Sequence, residues 1–348
     1  MKPSYLHFFG FTHEPFGADL RVDQILQTPK VLAVSDRFDY TVRLGAIGLV
    51  TGDVGSGKST ALRFALSRLH PSEYRPLWVT ASSGSILECY RQLSSELEVD
   101  TNSFSRAALL RIIRRQILEL ACNRKQKPVL VIDEASLLRI EVLAELHTLT
   151  QFEGDSKAYL PIVLAGQNNL LDLLQYRTSI PLASRIVTRC HLQGITREDM
   201  DAYLNHHLKI ADISRQLFSD PAMTAIHQGS GGLLRRANHL ARGALIAAAS
   251  EKTQLVSAEH VRVAAVIDFE SAFKLNDIAH CGAPFEIAHS LRFGFHGLQI
   301  HAPTVLRRYH VNPDAGTERR YAAALIHGKG LRTIENTDCD QVVHHLRD

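Results

Sequence analysis

The segment Gly52-Asp53-Val54-Gly55-Ser56-Gly57-Lys58-Ser59 limits what this chain can fold into more than any other. It fits G-x-x-x-x-G-K-[ST] and lies between an apolar, β-type run, Ala46–Thr51, and a helix-like stretch, Thr60–Leu69. A strand, a glycine-rich loop and a helix in that order are the setting in which the motif works. The glycines let the backbone turn until successive N–H groups point inward at phosphate oxygens, and the helix N-terminus adds its positive dipole end. Lys58 then supplies a mobile cation for the β- and γ-phosphates, and the Ser59 hydroxyl a ligand for magnesium. Gly52 to Thr60 are therefore the candidate residues for binding a nucleoside triphosphate. The plain alternative is a glycine-rich turn, but a chance match in a chain of this length arises roughly once in a hundred sequences.

A second feature agrees with the first. Val129-Leu130-Val131-Ile132 runs directly into Asp133-Glu134, so a buried parallel strand would end in two carboxylates beside the loop. Asp133 is expected to hold magnesium through its water shell, and Glu134 to orient and deprotonate an attacking water. Alone, such a pair could simply solvate a strand end; next to Lys58 it reads as chemistry.

Around these residues, apolar β-type runs alternate with helical patterns: Ala46–Thr51, Pro76–Thr80, Val129–Ile132, Pro161–Ala165 and Ile186–Leu192. The spacing leaves room for crossover helices, which predicts an α/β fold with a parallel sheet flanked by helices. Beyond Gly194 the strand signal stops, and Arg197–Ile210, Pro221–His227, Leu233–Ser250 and Ser257–Phe269 have helical patterns. Four regions follow: an N-terminal strap and helix over 1–45 packing on the nucleotide site, the ATPase-type domain over 46–194, a small helical lid over 195–270, and a tail of uncertain fold over 271–348. The strap carries Phe8-Phe9-Gly10-Phe11 and Pro15-Phe16-Gly17.

Composition narrows the function classes. The net charge of +3 is too small to require a nucleic-acid partner, and the five cysteines show no C-x-x-C pair or metal-ligand spacing. No apolar stretch approaches the roughly 20 residues needed to cross a bilayer. The expectation is a cytoplasmic protein with reduced thiols and no membrane span.

Tyr5–Phe16, the phosphate loop, Val129–Glu134, Leu143–Leu149, Ile162-Val163-Leu164-Ala165-Gly166-Gln167 and Gly231–Asn238 together resemble the ExeA-like and transposon-associated ATPases, an AAA+ family. The resemblance spans roughly residues 5 to 265 and implies ATP and Mg2+ as cofactors. It implies that Gln167, or failing it Asn168, touches the γ-phosphate or the lytic water. It further implies that Arg185, with Arg189 second, reaches the nucleotide of a neighbouring subunit in a homo-oligomer. The lid arginine carries over to Arg235. Relatives have Pro where this chain has Leu234, which leaves Arg236 in competition, and Arg and Asn where it has His147 and Gln151.

Two features fall outside the motifs. Ser103–Cys122 presents Arg106, Arg111, Arg114 and Arg115 on an amphipathic helix, either as a solvated face or as a contact for the backbone of double-stranded DNA without sequence preference. The tail is rich in histidine without a ligand spacing. The function expected from all this is ATP hydrolysis in a DNA-associated regulator of a transposase or recombination machine. The alternatives are a secretion-pathway ATPase and an ATP-binding adaptor that hydrolyses weakly. Secretion relatives are expected to carry a membrane span and a wall-binding extension after the lid; neither is read here, which favours the DNA-linked branch.

Overall fold

Five strands form one parallel sheet in a computed structural model that describes residues 4–99, 105–266, 293–295 and 298–300. They are β1 (Ile47–Gly52), β2 (Tyr74–Thr80), β3 (Lys127–Asp133), β4 (Ile162–Gly166) and β5 (Ile186–Leu192), in the spatial order β2-β3-β4-β1-β5. Register sets the site. Leu49 of β1 pairs with Leu164 of β4, which pairs with Ile132 of β3. The C-terminal ends of these strands therefore open at one edge, and the phosphate loop, Asp133-Glu134 and Gly166-Gln167 leave the sheet side by side.

The first helix, α1 (Ser4–Phe9), belongs to the strap, and strand alternation distributes the core. Val50, Val129, Val131, Val163 and Ala165 pack under α2 (Pro29–Leu44) and α3 (Lys58–Ser67), with Val34, Phe38, Val42 and Leu62 facing them. Leu49, Leu77, Leu130, Ile132 and Leu164 face the other way, against α4 (Ile86–Glu96), α5 (Arg106–Leu118) and α6 (Ile140–Leu146). The near-continuous apolar runs of β1, β3 and β4 reflect burial on both faces. Thr28 caps α2 by accepting the Val31 N–H at 3.3 Å, and Gly45, at φ 68°, ends it.

After β4 come α7 (Asn169–Gln175) and α8 (Ile180–Ala183); after β5 come α9 (Arg197–Ile210), α10 (Asp220–Ser230), α11 (Leu234–Ser250) and a helical stretch over 258–266. The strap lies largely on this last group. Phe16 stacks on His207 of α9 at 5.3 Å and meets Phe218 edge-on at 6.1 Å. Arg242 of α11 donates to the Phe16 carbonyl at 2.8 Å, and Arg215 to that of Phe9 at 3.1 Å. Further along, Arg63 of α3 donates to the Leu20 carbonyl at 2.8 Å. The strap thus spans from the helices after the sheet to the helix that follows the phosphate loop.

Local departures from the sequence reading have local causes. The helix expected from Thr60 begins at Lys58, because Gly57, at φ 95°, turns the loop straight into it. The helix expected over Ser103–Cys122 runs regularly from Arg106 to Leu118 and ends in a π-type turn, Glu119–Asn123. Contacts divide the chain into one unit over Met1–Ala264 and a second over Ala265–Asp348. In the second, β6 (Phe293–Phe295) and β7 (Leu298–Ile300) pair antiparallel; the rest of the tail expected over 271–348 lies outside the described residues. Among the described residues no helix is long and apolar enough to cross a membrane.

Candidate nucleotide site

Lys58 is the centre of the site. Its side chain is buried at the first turn of α3, and its ammonium donates to the carbonyls of Gly52 and Asp53 at 2.9 Å each. Burial pushes its pKa below the ordinary lysine value, while Glu134, Asp133 and Asp53 pull it back up and Arg235 depresses it further. The same charges show what the fold has gathered: a buried cation, three carboxylates and an arginine from α11. An ammonium in such a place is costly without anionic partners. A triphosphate would add to the anionic partners that Glu134, Asp133 and Asp53 already provide.

Gly55, at φ 82°, and Gly57 carry the backbone through the turn. The Ser56 hydroxyl is buried and has no hydrogen-bond partner among the described residues. Ser59 and Thr60 are half-buried in the first turn of α3. Asp133 is buried at the end of β3 and accepts the backbone N–H of Glu134 at 2.9 Å. Glu134 itself sits at φ 53°, ψ 33°, a left-handed conformation that non-glycine residues adopt at a cost.

The elements around the loop contribute unequally. The backbone N–H of Gln167 donates to Ser136 Oγ at 3.2 Å, which ties the end of β4 to the turn after the acidic pair. The side chain that reaches the loop is that of Asn168, whose Nδ2 donates to Asp53 Oδ1 at 3.1 Å. From α11, Arg235 donates its backbone N–H to the Gly55 carbonyl at 3.2 Å. The approach is close: a Cβ on Gly55 would stand 2.8 Å from that of Arg235.

Arg185 is not brought to this site. Its guanidinium pairs with Asp155 at 2.6 Å and donates to the Pro181 carbonyl at 2.7 Å. Arg189 is exposed on the edge strand β5. The arginine row of α5 divides in the same way. Arg106 pairs with Glu145 at 2.5 Å, and Arg114 donates to the carbonyls of Thr148 and Gln151 beneath the ring of Phe152. Arg111 and Arg115 face solvent. Sequence reasoning gave the Asp53 side chain and Ser136 no task; only the contacts of the folded chain single them out.

Residues 42–174 match the family model described as AAA domain. Over these residues the chain carries an AAA+ domain. This AAA+ protein is 31% identical over 252 residues to general secretion pathway protein A of Aeromonas hydrophila, covering 70% of this chain and 45% of that one. It therefore spans less than half the length of that relative. It is 27% identical over 256 residues to the ATP-dependent target DNA activator B of Escherichia phage Mu, covering 68% of this chain and 70% of the relative. Among solved structures, Cdc6p from Pyrobaculum aerophilum superimposes with a TM-score of 0.59 at 16% identity, over 72% of this chain and 69% of that one. That likeness shows the AAA+ fold.

Proposed function

We propose that this AAA+ protein binds ATP with Mg2+ at Gly52–Thr60 and hydrolyses it, and that it serves as a DNA-associated regulator of a transposase or a related recombination machine. The observation that carries the nucleotide reading is the buried Lys58 ammonium, set among Asp133, Glu134, Asp53 and Arg235. Ser59 and Asp133 offer oxygen ligands of the kind magnesium prefers. Magnesium, when bound, neutralises charge on the phosphates. Lys58 holds the β- and γ-phosphates, and Glu134 orients the lytic water and takes its proton. Gln167 or Asn168 contacts the γ-phosphate end, Arg235 approaches from α11, and Arg185 or Arg189 serves a neighbouring subunit of a homo-oligomer.

The DNA-linked role rests on the likeness to the phage Mu activator, which covers more than two thirds of both chains. The higher identity to the secretion protein supports a second reading, an ATPase of a secretion pathway. Stimulation of ATP turnover by double-stranded DNA, falling steeply with salt, supports the first; turnover indifferent to DNA supports the second.

The nucleotide site is tested with Lys58→Ala. The fold should survive, because the side chain's hydrogen bonds run to its own loop, while affinity for a fluorescent ATP analogue should be lost. Near-normal affinity in a folded variant would move the site elsewhere.

A further inference from the structure

Asp53 occupies a position that the phosphate-loop motif leaves free, and a carboxylate there repels the triphosphate the loop is built to hold. Its backbone is fixed, since its carbonyl accepts from Lys58 Nζ at 2.9 Å and from the Ser56 N–H at 3.2 Å. Its side chain is committed as well: Oδ1 accepts from Asn168 Nδ2 at 3.1 Å. Asn168 stands at the N-cap of α7, where an asparagine ordinarily turns its side chain back to accept a helix N–H. Here it makes no such cap and reaches across to the loop instead. A carboxylate only accepts hydrogen bonds, so the amide facing it must present its NH2 group. The amide carbonyl oxygen is then the end left over.

From this geometry, and resting on the nucleotide reading above, we propose that Asp53 is a positioning residue for hydrolysis. It fixes the Asn168 amide with its NH2 toward the phosphate loop, so that the carbonyl oxygen is offered as an acceptor to the attacking water. The Asp53 carboxylate itself makes no bond to substrate. Its negative charge opposes nucleotide binding, and the orientation it imposes favours turnover. Replacing it with the isosteric amide removes the charge and also the reason for one amide orientation over the other, since an asparagine can face Asn168 with either group.

The test separates kcat from affinity in four variants, using ATP for turnover and a fluorescent non-hydrolysable analogue for binding. Asp53→Asn should bind the analogue as tightly as the parent or severalfold tighter, with kcat lowered about tenfold. Asn168→Ala should lower kcat to a similar degree, and the Asp53→Asn, Asn168→Ala double variant should fall no further than the lower single one. Asp53→Glu, which remains a pure acceptor, should keep most of the turnover. Additive losses in the double variant, or an unchanged kcat in Asp53→Asn, overturn the proposal. So does weaker binding in Asp53→Asn at full kcat, which would make Asp53 a structural part of the loop. Lys58→Ala measured in parallel distinguishes the causes: if it loses the analogue while Asp53→Asn keeps full kcat, the positioning role alone fails. If Lys58→Ala binds normally, the nucleotide reading fails and this proposal with it.

Discussion

Glu134 shows most clearly what a single residue contributes. It follows a buried strand, its N–H is held by Asp133, and its backbone adopts a conformation that a glycine would adopt more cheaply. A carboxylate kept at that expense, with Lys58 among its neighbours, fits a general base. Glu134→Gln would remove the proposed base while preserving size, so ATP should remain bound and turnover should fall by roughly a hundredfold or more. Single-turnover hydrolysis against analogue binding measures both, and unchanged turnover would assign the base to another residue. Lys58 and the acidic pair were legible in the sequence because their spacing is imposed by the phosphate and metal they would serve. Asp53 and Asn168 were less legible, because their pairing depends on how far β1 and β4 project from the sheet, and no local pattern encodes that. Arg185 illustrates the opposite difficulty: its place in the chain suggests a partner outside the molecule, yet Asp155 and the Pro181 carbonyl already hold it.

At the scale of elements, the five strands and the long helices could be read from periodicity, since burial on both faces forces continuous apolar runs and one-sided burial forces a helical repeat. The strap could not. Its aromatic residues announce burial and the expectation set them on the nucleotide site, yet it is the ring of His207, from a helix nearly two hundred positions later, that receives Phe16. That contact has a measurable consequence. Burial, aided by the neighbouring His206, lowers the His207 pKa from 6.5 to about 4. The unfolded chain therefore takes up this proton near pH 6.5 and the folded chain only near pH 4. Between those values the unfolded state carries the extra proton, so stability falls as pH falls, and the loss is complete below the folded value. The interval corresponds to about 3 kcal/mol. Because Nε2 of His207 is buried with no hydrogen-bond partner among the described residues, His207→Phe should preserve the stack on Phe16 without losing a bond at that atom. Denaturant unfolding from pH 7.5 to 4 should show a shallower acid decline in the variant. Parallel declines in the two proteins would mean that His207 is already protonated, or hydrated, in the folded state.

For the whole molecule the proposal bears on assembly, because an arginine acting in trans would make hydrolysis a property of the oligomer. Arg185 and Arg189 both lie near β5, at the sheet edge opposite β2, but they differ in readiness. Arg189 is exposed, whereas Arg185 must exchange Asp155 for a phosphate to act on a neighbour. That exchange replaces one carboxylate by a more highly charged anion and is reasonable at a desolvated interface. We expect activity to rise more steeply than protein concentration and to recover when two inactive proteins are mixed. Lys58→Ala subunits keep the arginine and lack a nucleotide site; Arg185→Ala subunits keep the nucleotide site and lack the arginine. In a mixed oligomer some interfaces then regain both halves of a complete site, and turnover should return in proportion to their number. The same mixture with Arg189→Ala subunits decides between the two arginines, since only a variant of the acting residue is inactive alone and complemented by Lys58→Ala. Mixed oligomers, verified by cross-linking, that stay inactive with both variants would show that each subunit completes its own site.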